Sequence, residues 1–442
     1  MTRSILLTLF LMGIALSLKA QLPDQTVEFY QQRVRENIGL LIKDSLLYNN
    51  VEVDDKGISL YAVGEGTRPE FTLYWDEIPH FLRLLYNMDY YETLELYNEK
   101  GNSPYYLDDI VYFLSHTLNP PTQFNGLKVA IDPGHFAASW QQALQEERYL
   151  KIRGEDLGLD KDLRLYEADL TYGTALLLKD SLEKLGAEVL ITRQPGESAV
   201  GKGFSEWYET DFEVDLARHV ASGDISPGMA AKIKESDNKK FIFETFYKYL
   251  DFIGRGRRIN EFAPDLTLVL HYNVDEDNHR DARLYTKPTR ENYSMAFIPG
   301  SFLRGELKKQ DARIDFLRLL VSYDLDESYR LAKTIMDNIE NDLGVPAIPK
   351  ENDLIHAAKY DILTDRQGVY CRNLYLTRAV KGPVVYLEAL YQDNIDELKM
   401  LSNKKIRIGD YRTSTRCKQV SDALMKSIDA WLLENKGLPF IE

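Results

Sequence analysis

After Pro120-Pro121, short apolar segments alternate with longer segments of helical periodicity, and this alternation limits the possible folds more than any other feature of the sequence. The apolar segments are rich in Val, Ile and Leu, as in strands that are buried on both faces of a sheet. We predict strands at residues 127–131, 187–192, 266–270, 295–299 and 384–387, and helices at 168–185, 328–343 and 420–433. The pattern is typical of an α/β domain, with a mainly parallel twisted sheet flanked by helices.

The two prolines also suggest a domain boundary, because neither can continue a helix. A chain of 442 residues is long enough for two or three folding units. We expect a smaller N-terminal accessory domain at 21–121, α+β or mostly helical and of unknown role, and a catalytic domain at 122–442. Three stretches of the latter fit the strand–helix rhythm poorly, and we interpret them as insertions near 140–165, 194–250 and 302–328.

Residues 1–20 have the pattern of a secretory signal peptide. Arg3 provides a positive start, the run from Ile5 to Leu18 is almost entirely apolar, and Ala20 is a small residue at a suitable cleavage position. An apolar run of about 14 residues is too short to span a bilayer, which needs roughly 20. We therefore expect an exported protein, in a bacterial periplasm, with secretion beyond it as the open alternative.

The charge of the chain argues against several partners. The net charge is −15, and removal of Arg3 and Lys19 with the signal changes it to −17. Such a surface repels phosphate backbones and anionic membranes, so we expect no nucleic acid partner. No segment after the signal is apolar enough to predict a membrane span. The two cysteines, Cys371 and Cys417, can pair in an oxidising compartment only if the fold brings them together, which the sequence leaves open.

Four polar residues occur where the predicted elements meet. His135, His271 and Glu388 follow predicted strands, and Glu167 begins the predicted helix at 168–185. Because the carboxyl ends of parallel strands meet at one edge of a sheet, all four can converge there. Two histidines and a carboxylate form a catalytic zinc shell that leaves a fourth position for water. We predict His135, Glu167 and His271 as ligands of one Zn²⁺ ion per chain.

Taken singly, these residues have simpler explanations. Asp132-Pro133-Gly134 is a good turn sequence in front of any residue, and a histidine after a strand is often only hydrogen-bonded. Glu167 alone can be a first-turn glutamate that is stabilised by the helix dipole. Glu388 is harder to explain in this way, because a carboxylate after four apolar strand residues is costly to bury without a partner.

The combination resembles the zinc-dependent N-acetylmuramoyl-L-alanine amidases of the amidase_3 type, which cut peptidoglycan. The similar segments are residues 128–135, 167–170, 187–193, 255–273 and 384–394. The resemblance implies cleavage of the amide between N-acetylmuramic acid and L-alanine, with zinc-bound water as nucleophile and Glu388 as general base. Ligating histidines are usually oriented by further polar groups, and Arg255, Asn260 and Asn273 are candidates for this role.

The sequence also departs from the family pattern. Phe136 stands where a second glycine is usual, and the 31 residues between His135 and Glu167 are about twice the usual number. Some family members carry a helix that blocks the site until an activator protein removes it. The segment at 302–328 is a candidate for such self-inhibition.

Two other functions remain open at this point. One is a catalytically inactive peptidoglycan-binding or scaffold protein with the same fold. The other is a zinc peptidase that acts on stem peptides with the same ligands.

Overall fold

The computed structural model describes residues 24–61, 69–87, 121–222, 225–278, 285–350 and 359–436. The predicted signal peptide lies outside these residues. The helices are α1 (Asp24–Leu41), α2 (Ile78–Asn87), α3 (Trp140–Glu146), α4 (Gly154–Leu157), α5 (Glu167–Lys184), α6 (Phe204–Thr210), α7 (Phe212–Ala221), α8 (Pro227–Lys234), α9 (Lys239–Ile242), α10 (Lys248–Phe262), α11 (Gln310–Val321), α12 (Asp324–Asn338), α13 (Tyr375–Ala379), α14 (Ile395–Leu401) and α15 (Thr415–Lys436). The strands are β1 (Val51–Val53), β2 (Gly57–Leu60), β3 (Phe71–Tyr74), β4 (Lys128–Pro133), β5 (Tyr149–Ile152), β6 (Leu163–Tyr166), β7 (Glu188–Ile191), β8 (Leu266–Asn273), β9 (Met295–Ile298), β10 (Ile362–Leu363), β11 (Val369–Cys371), β12 (Val384–Tyr391), β13 (Ile406–Ile408) and β14 (Tyr411–Thr413).

The chain divides into two compact units, and the first combines the N-terminal region with residues 301–323. It contains an antiparallel sheet of order β1-β2-β3 and the helices α1, α2 and α11. Buried side chains of α1 bind carbonyl groups at the end of α11 and just after it. Asn37 Nδ2 donates to Leu319 O at 3.0 Å, and an Arg33 guanidinium nitrogen donates to Ser322 O at 2.9 Å.

This arrangement differs from the sequence interpretation at 302–328. The sequence predicts that this segment is part of the catalytic domain, but up to Tyr323 it belongs to the first unit. The physical reason is that α11 packs on α1, and the buried ring of its Phe316 contacts that of Phe302, with a centroid distance of 5.3 Å. Self-inhibition by this segment stays a prediction.

The second unit is built around a seven-stranded mixed sheet of order β10-β11-β9-β12-β8-β4-β7. The neighbours β7, β4, β8 and β12 all run parallel. Helices flank the sheet, with α5 and α10 both packed on β4. The predicted α/β fold is therefore confirmed.

Two strands, β9 and β11, run opposite to this parallel set, as a mainly parallel sheet allows. β9 pairs antiparallel with β12, so Met295, its first residue, lies opposite Glu388. β9 and β11 are parallel to each other. Apolar composition marks all of these strands as buried but carries no information on direction, which depends on the connections.

The predicted insertion at 194–250 is helical. Helices α6 to α9 lead through a π-helical turn, Phe243–Tyr247, into α10. They enclose an aromatic core that contains, among others, Trp207, Phe246 and Tyr247. Phe136, from the loop after β4, packs into this core, with its ring centroid 5.8 Å from that of Tyr247. The core explains why a bulky residue follows His135.

The structure also describes both cysteines and the helices that could be compared with a membrane span. Cys371 in β11 and Cys417 in α15 are buried free thiols. They do not form a disulfide with each other. Within the described part of the chain, no helix has the length and apolar character of a transmembrane segment.

Candidate metal centre

Three neighbouring parallel strands carry polar residues to one edge of the sheet. β4 lies beside β8, and β8 lies beside β12. His135 follows β4 by two residues, while His271 and Glu388 are direct partners in the register of β8 and β12. The Gly134 N–H donates to Leu270 O at 2.8 Å, which fixes the loop of His135 against β8.

Glu167 reaches this edge from the first position of α5. A carboxylate there is favoured by the positive end of the helix dipole. Its Oε1 also accepts a hydrogen bond from the Tyr272 backbone N–H at 3.1 Å. The side chain is buried, and these contacts compensate for part of the cost of burying its charge.

His135, Glu167 and His271 form one cluster. His135 Nε2 is 3.1 Å from Glu167 Oε2, and His271 Nδ1 is 2.8 Å from Glu167 Oε1. One ligand atom from each of the three residues lies within 4.8 Å of the other two. Among the described residues, these three side chains form a group that could hold a metal ion.

The electrostatics of the cluster follow from burial and close contact. Burial raises the pKa of the Glu167 carboxyl, but the two imidazoles outweigh this effect and hold the pKa well below its ordinary value. Burial lowers the pKa of His271, and the nearby His135 adds to this. Burial likewise lowers the pKa of His135, but the carboxylates of Glu167 and Glu146 raise it above the ordinary value. Glu167 is thus ionised, as a metal ligand must be.

Two buried arginines hold the loop of His135. Arg193 donates to Pro133 O at 2.9 Å and to Gly134 O at 3.0 Å. Arg255 donates to His135 O at 3.0 Å and forms an ion pair with Asp132 at 3.1 Å. Burial, together with the charge of Arg255, lowers the pKa of Arg193 to about 10. These contacts support His135 in a left-handed backbone conformation (φ 58°), which is unfavourable for a residue other than glycine.

Gly134 gives a first testable prediction, because His271 lies directly against its backbone. A Cβ atom at this position would have three His271 ring atoms as its nearest neighbours, the farthest of them at 2.6 Å. The ring cannot retreat freely, since Tyr386 stacks on it with a centroid distance of 4.4 Å and an interplanar angle of 9°. We expect Gly134→Ala to weaken zinc binding and to lower the free energy of unfolding by about 1–3 kcal/mol, measured by metal titration and urea denaturation.

The matched control is Gly228→Ala. Gly228 lies in α8, and a Cβ atom there would have no neighbour within 4 Å. Since alanine favours a helix over glycine by about 1 kcal/mol, this variant should be at least as stable as the wild type. Equal zinc affinity and equal stability in both variants would contradict the proposed tight packing of Gly134 on His271.

Glu388 is the fourth of the polar residues predicted at this edge of the sheet. Its Oε2 is buried and, among the described residues, has no hydrogen-bond partner. Burial and the charge of Glu167 hold the pKa of Glu388 well above its ordinary value, while Arg148 and Arg372 act in the opposite direction. A buried carboxyl oxygen that has no hydrogen-bond partner among the described residues, beside a His–Glu–His cluster, is suited to bind a polar group that enters the site.

The donor set fits a zinc ion. Two imidazoles and one ionised carboxylate are the ligands of a catalytic zinc shell, in which a fourth position stays open. The buried Glu388 oxygen provides an acceptor next to that set.

Sequence comparison decides the family. The family model described as N-acetylmuramoyl-L-alanine amidase matches residues 129–410, which include both histidines, Glu167 and Glu388. The chain belongs to the N-acetylmuramoyl-L-alanine amidase family. Comparison with curated proteins gave no match.

Solved structures that are similar to this amidase have low identity to it. The CwlD amidase from Clostridioides difficile, in complex with the GerS lipoprotein, is 14% identical, with 70% of this chain and 98% of that chain covered and a TM-score of 0.37. The apo Ami1 amidase from Mycobacterium abscessus is 15% identical, with 70% and 99% covered and a TM-score of 0.35. The AmiC2 amidase of Nostoc punctiforme is 13% identical, with 70% and 98% covered and a TM-score of 0.35.

Arg255, Asn260 and Asn273, which we predicted to orient the candidate ligands, have different positions in the amidase. Arg255 contacts the loop of His135, as described above. Asn260 instead contacts the segment before β12, where it donates to Ala379 O and accepts from Lys381 N–H, both at 2.9 Å. Asn273 Oδ1 accepts a hydrogen bond from Val274 N–H at 2.9 Å at the end of β8. Of the three, Arg255 has the contacts expected of an orienting residue.

Sequence reasoning missed two residues that contact the ligands. Tyr386 stacks on His271, and its place two residues before Glu388 on the same strand puts both side chains on one face, which could have identified it. Glu146 lies 3.7 Å from His135 Nδ1. It belongs to the segment interpreted as an insertion, where no spacing pattern pointed to it.

Proposed function

We propose that the chain is an exported zinc hydrolase that cleaves the amide bond between N-acetylmuramic acid and L-alanine in peptidoglycan. Membership of the amidase family gives the reaction class, and the observation that carries the finer proposal is the cluster of His135, Glu167 and His271 beside Glu388. One zinc ion per chain would be held by a nitrogen of each imidazole and by the Glu167 carboxylate.

A bound zinc ion supplies Lewis acidity, which polarises a substrate carbonyl and lowers the pKa of water from 15.7 to about 7. The chain itself provides the proton carrier. Glu388 accepts the proton of the attacking water and delivers it to the leaving amine of L-alanine, a step that is usually worth about 10²–10⁴-fold in rate. Burial and the nearby charge of Glu167 raise the pKa of Glu388, and a bound cation, which would neutralise the charge of Glu167, would bring this pKa back toward the range in which a carboxylate accepts a proton.

The surrounding residues position the reacting groups. The buried Arg193 and Arg255 fix the loop of His135, and Tyr386 fixes the ring plane of His271. Because these supports are built into the sheet edge, the ligands need little rearrangement when the ion enters. Such preorganisation is a general requirement of catalytic sites.

Export is part of the proposal and is supported by the N-terminal sequence. The apolar run after Arg3, followed by Ala20, predicts a cleaved signal and a periplasmic enzyme. N-terminal sequencing of the protein from the bacterial host should give a mature chain that starts at Gln21. Regulation by an activator protein stays a prediction from the family resemblance.

Analysis of the products tests the reaction. Purified peptidoglycan is digested with the mature chain, and the soluble fragments are identified by mass spectrometry. The proposal predicts intact stem peptides with a free L-alanine amino group, together with glycan strands that have lost them. Shortened stem peptides would indicate a zinc peptidase, and binding without cleavage would indicate a scaffold protein. Either result would contradict the proposal.

A further inference from the structure

We propose that Glu146 is a positioning residue that orients the imidazole of His135 for the metal. The inference rests on the proposed role of His135 as a ligand, and it assigns a function to the chain segment between His135 and Glu167. Glu146 would not touch the substrate or the metal; it would act through His135.

The Glu146 carboxylate is buried beside the loop of His135. The residue is 2% exposed, and a buried charge must be compensated by close polar partners. Three backbone contacts are present: Phe136 N–H to Oε1 at 3.2 Å and to Oε2 at 3.3 Å, and Ala137 N–H to Oε2 at 2.8 Å. The carboxylate therefore binds the two residues that directly follow His135.

The two nitrogens of the His135 ring face two different carboxylates. Nε2 faces Glu167 at 3.1 Å, on the side of the candidate metal, while Nδ1 faces Glu146 Oε1 at 3.7 Å. A carboxylate beside Nδ1 favours the tautomer with its proton on Nδ1. That tautomer leaves the Nε2 lone pair for the cation, which is the arrangement usually found for ligating histidines.

Helix α3 and its packing hold Glu146 in place. Helix α3 begins at a Ser139 cap, where Gln142 N–H donates to Ser139 Oγ at 3.3 Å, and Glu146 is its last residue. Ala143 of α3 packs in a small buried cluster with Ala137 and Ala168. Ala168 is the neighbour of Glu167 in α5. The same packing thus links the orienting carboxylate, the loop of one ligand and the helix of another.

A zinc titration of Glu146→Gln tests the inference. Glutamine keeps the size of the side chain and one oxygen acceptor for the backbone, but it removes the charge beside Nδ1. We expect the dissociation constant for zinc, measured by competition with a chromogenic chelator, to rise about 10–100-fold. The melting temperature of the metal-free protein should change little, and saturating zinc should restore kcat to near the wild-type value.

Glu147→Gln is the matched control, since Glu147 is adjacent, exposed and paired with Lys240. It should bind zinc as the wild type does.

Unchanged zinc affinity in Glu146→Gln would overturn the inference and leave the proposed function intact. A lowered melting temperature without a change in zinc affinity would have the same meaning. A wild type without zinc affinity would contradict the proposed function itself and this inference with it. If Glu146→Gln does not fold, Glu146→Asp takes its place. A weaker zinc affinity is again expected, because the shorter side chain places its carboxylate farther from Nδ1 of His135.

Discussion

Replacement of Glu388 by glutamine should lower kcat for peptidoglycan by about 10²–10⁴-fold and leave the zinc content unchanged. Glutamine has nearly the same volume and fits the buried position on β12, but its amide cannot accept a proton at neutral pH. Because Glu388 is not a member of the metal cluster, the ligands should keep the ion. The measurements are initial rates of fragment release and metal analysis on the same preparation.

The control for this variant is Glu188→Gln, on the exposed start of β7 in the same sheet. It should show wild-type rates, since its side chain points to solvent and lies on an edge strand. A normal rate for Glu388→Gln would exclude Glu388 as the general base. Loss of zinc from this variant would place Glu388 among the ligands.

His271→Ala should abolish both zinc binding and activity. The variant removes one of the three proposed ligands and leaves the buried Glu167 without the imidazole that lies 2.8 Å from its Oε1. Loss of a partner from a buried charged group is strongly destabilising, so we also expect a lower melting temperature. Metal analysis after gel filtration and thermal unfolding of the same sample provide the two readings.

His219→Ala is the matched control for the ligand. His219 is 7% exposed and lies in α7, where its ring packs on Phe246 within the helical insertion. This variant can lose stability, since it also removes a buried side chain, but it should keep zinc. Stoichiometric zinc in His271→Ala would remove His271 from the proposed shell.

The edge of the sheet that carries the site could be predicted because simple rules apply to it. β4 contains the apolar run Val129–Ile131, β8 and β12 each begin with a mostly apolar run, and parallel strands bring their carboxyl ends together. In the structure, His271 and Glu388 are direct partners across β8 and β12. The position of Glu167 at the start of α5 was likewise visible from the helical pattern.

Other parts of the fold could not be predicted, because they depend on contacts between distant segments. β9 is as apolar as its neighbours, yet it runs antiparallel to β12. The segment at 301–323 joins the first unit through contacts that are more than 280 residues apart in sequence, such as that from Asn37 to Leu319. Periodicity indicates that such segments are buried but not what buries them.

In the candidate site, too, some residues could be predicted from the sequence and others could not. Its ligands occur at the ends of predicted elements, whereas Glu146 occurs at the end of a short helix in an irregular stretch. Asn260 was a reasonable candidate from its position in the family-like segment, but its amide is directed to residues 379 and 381. The orientation of a side chain on a helix is fixed by packing, which a motif does not specify.

The most direct test of the central claim is a titration of the metal-free, mature wild-type chain with zinc while the cleavage of peptidoglycan is measured. We expect activity to rise in proportion to the added zinc and to stop rising at one equivalent per chain, because three ligands and an open position hold a single ion. Full activity in the metal-free chain, or activity that does not respond to zinc at any ratio, would contradict the account.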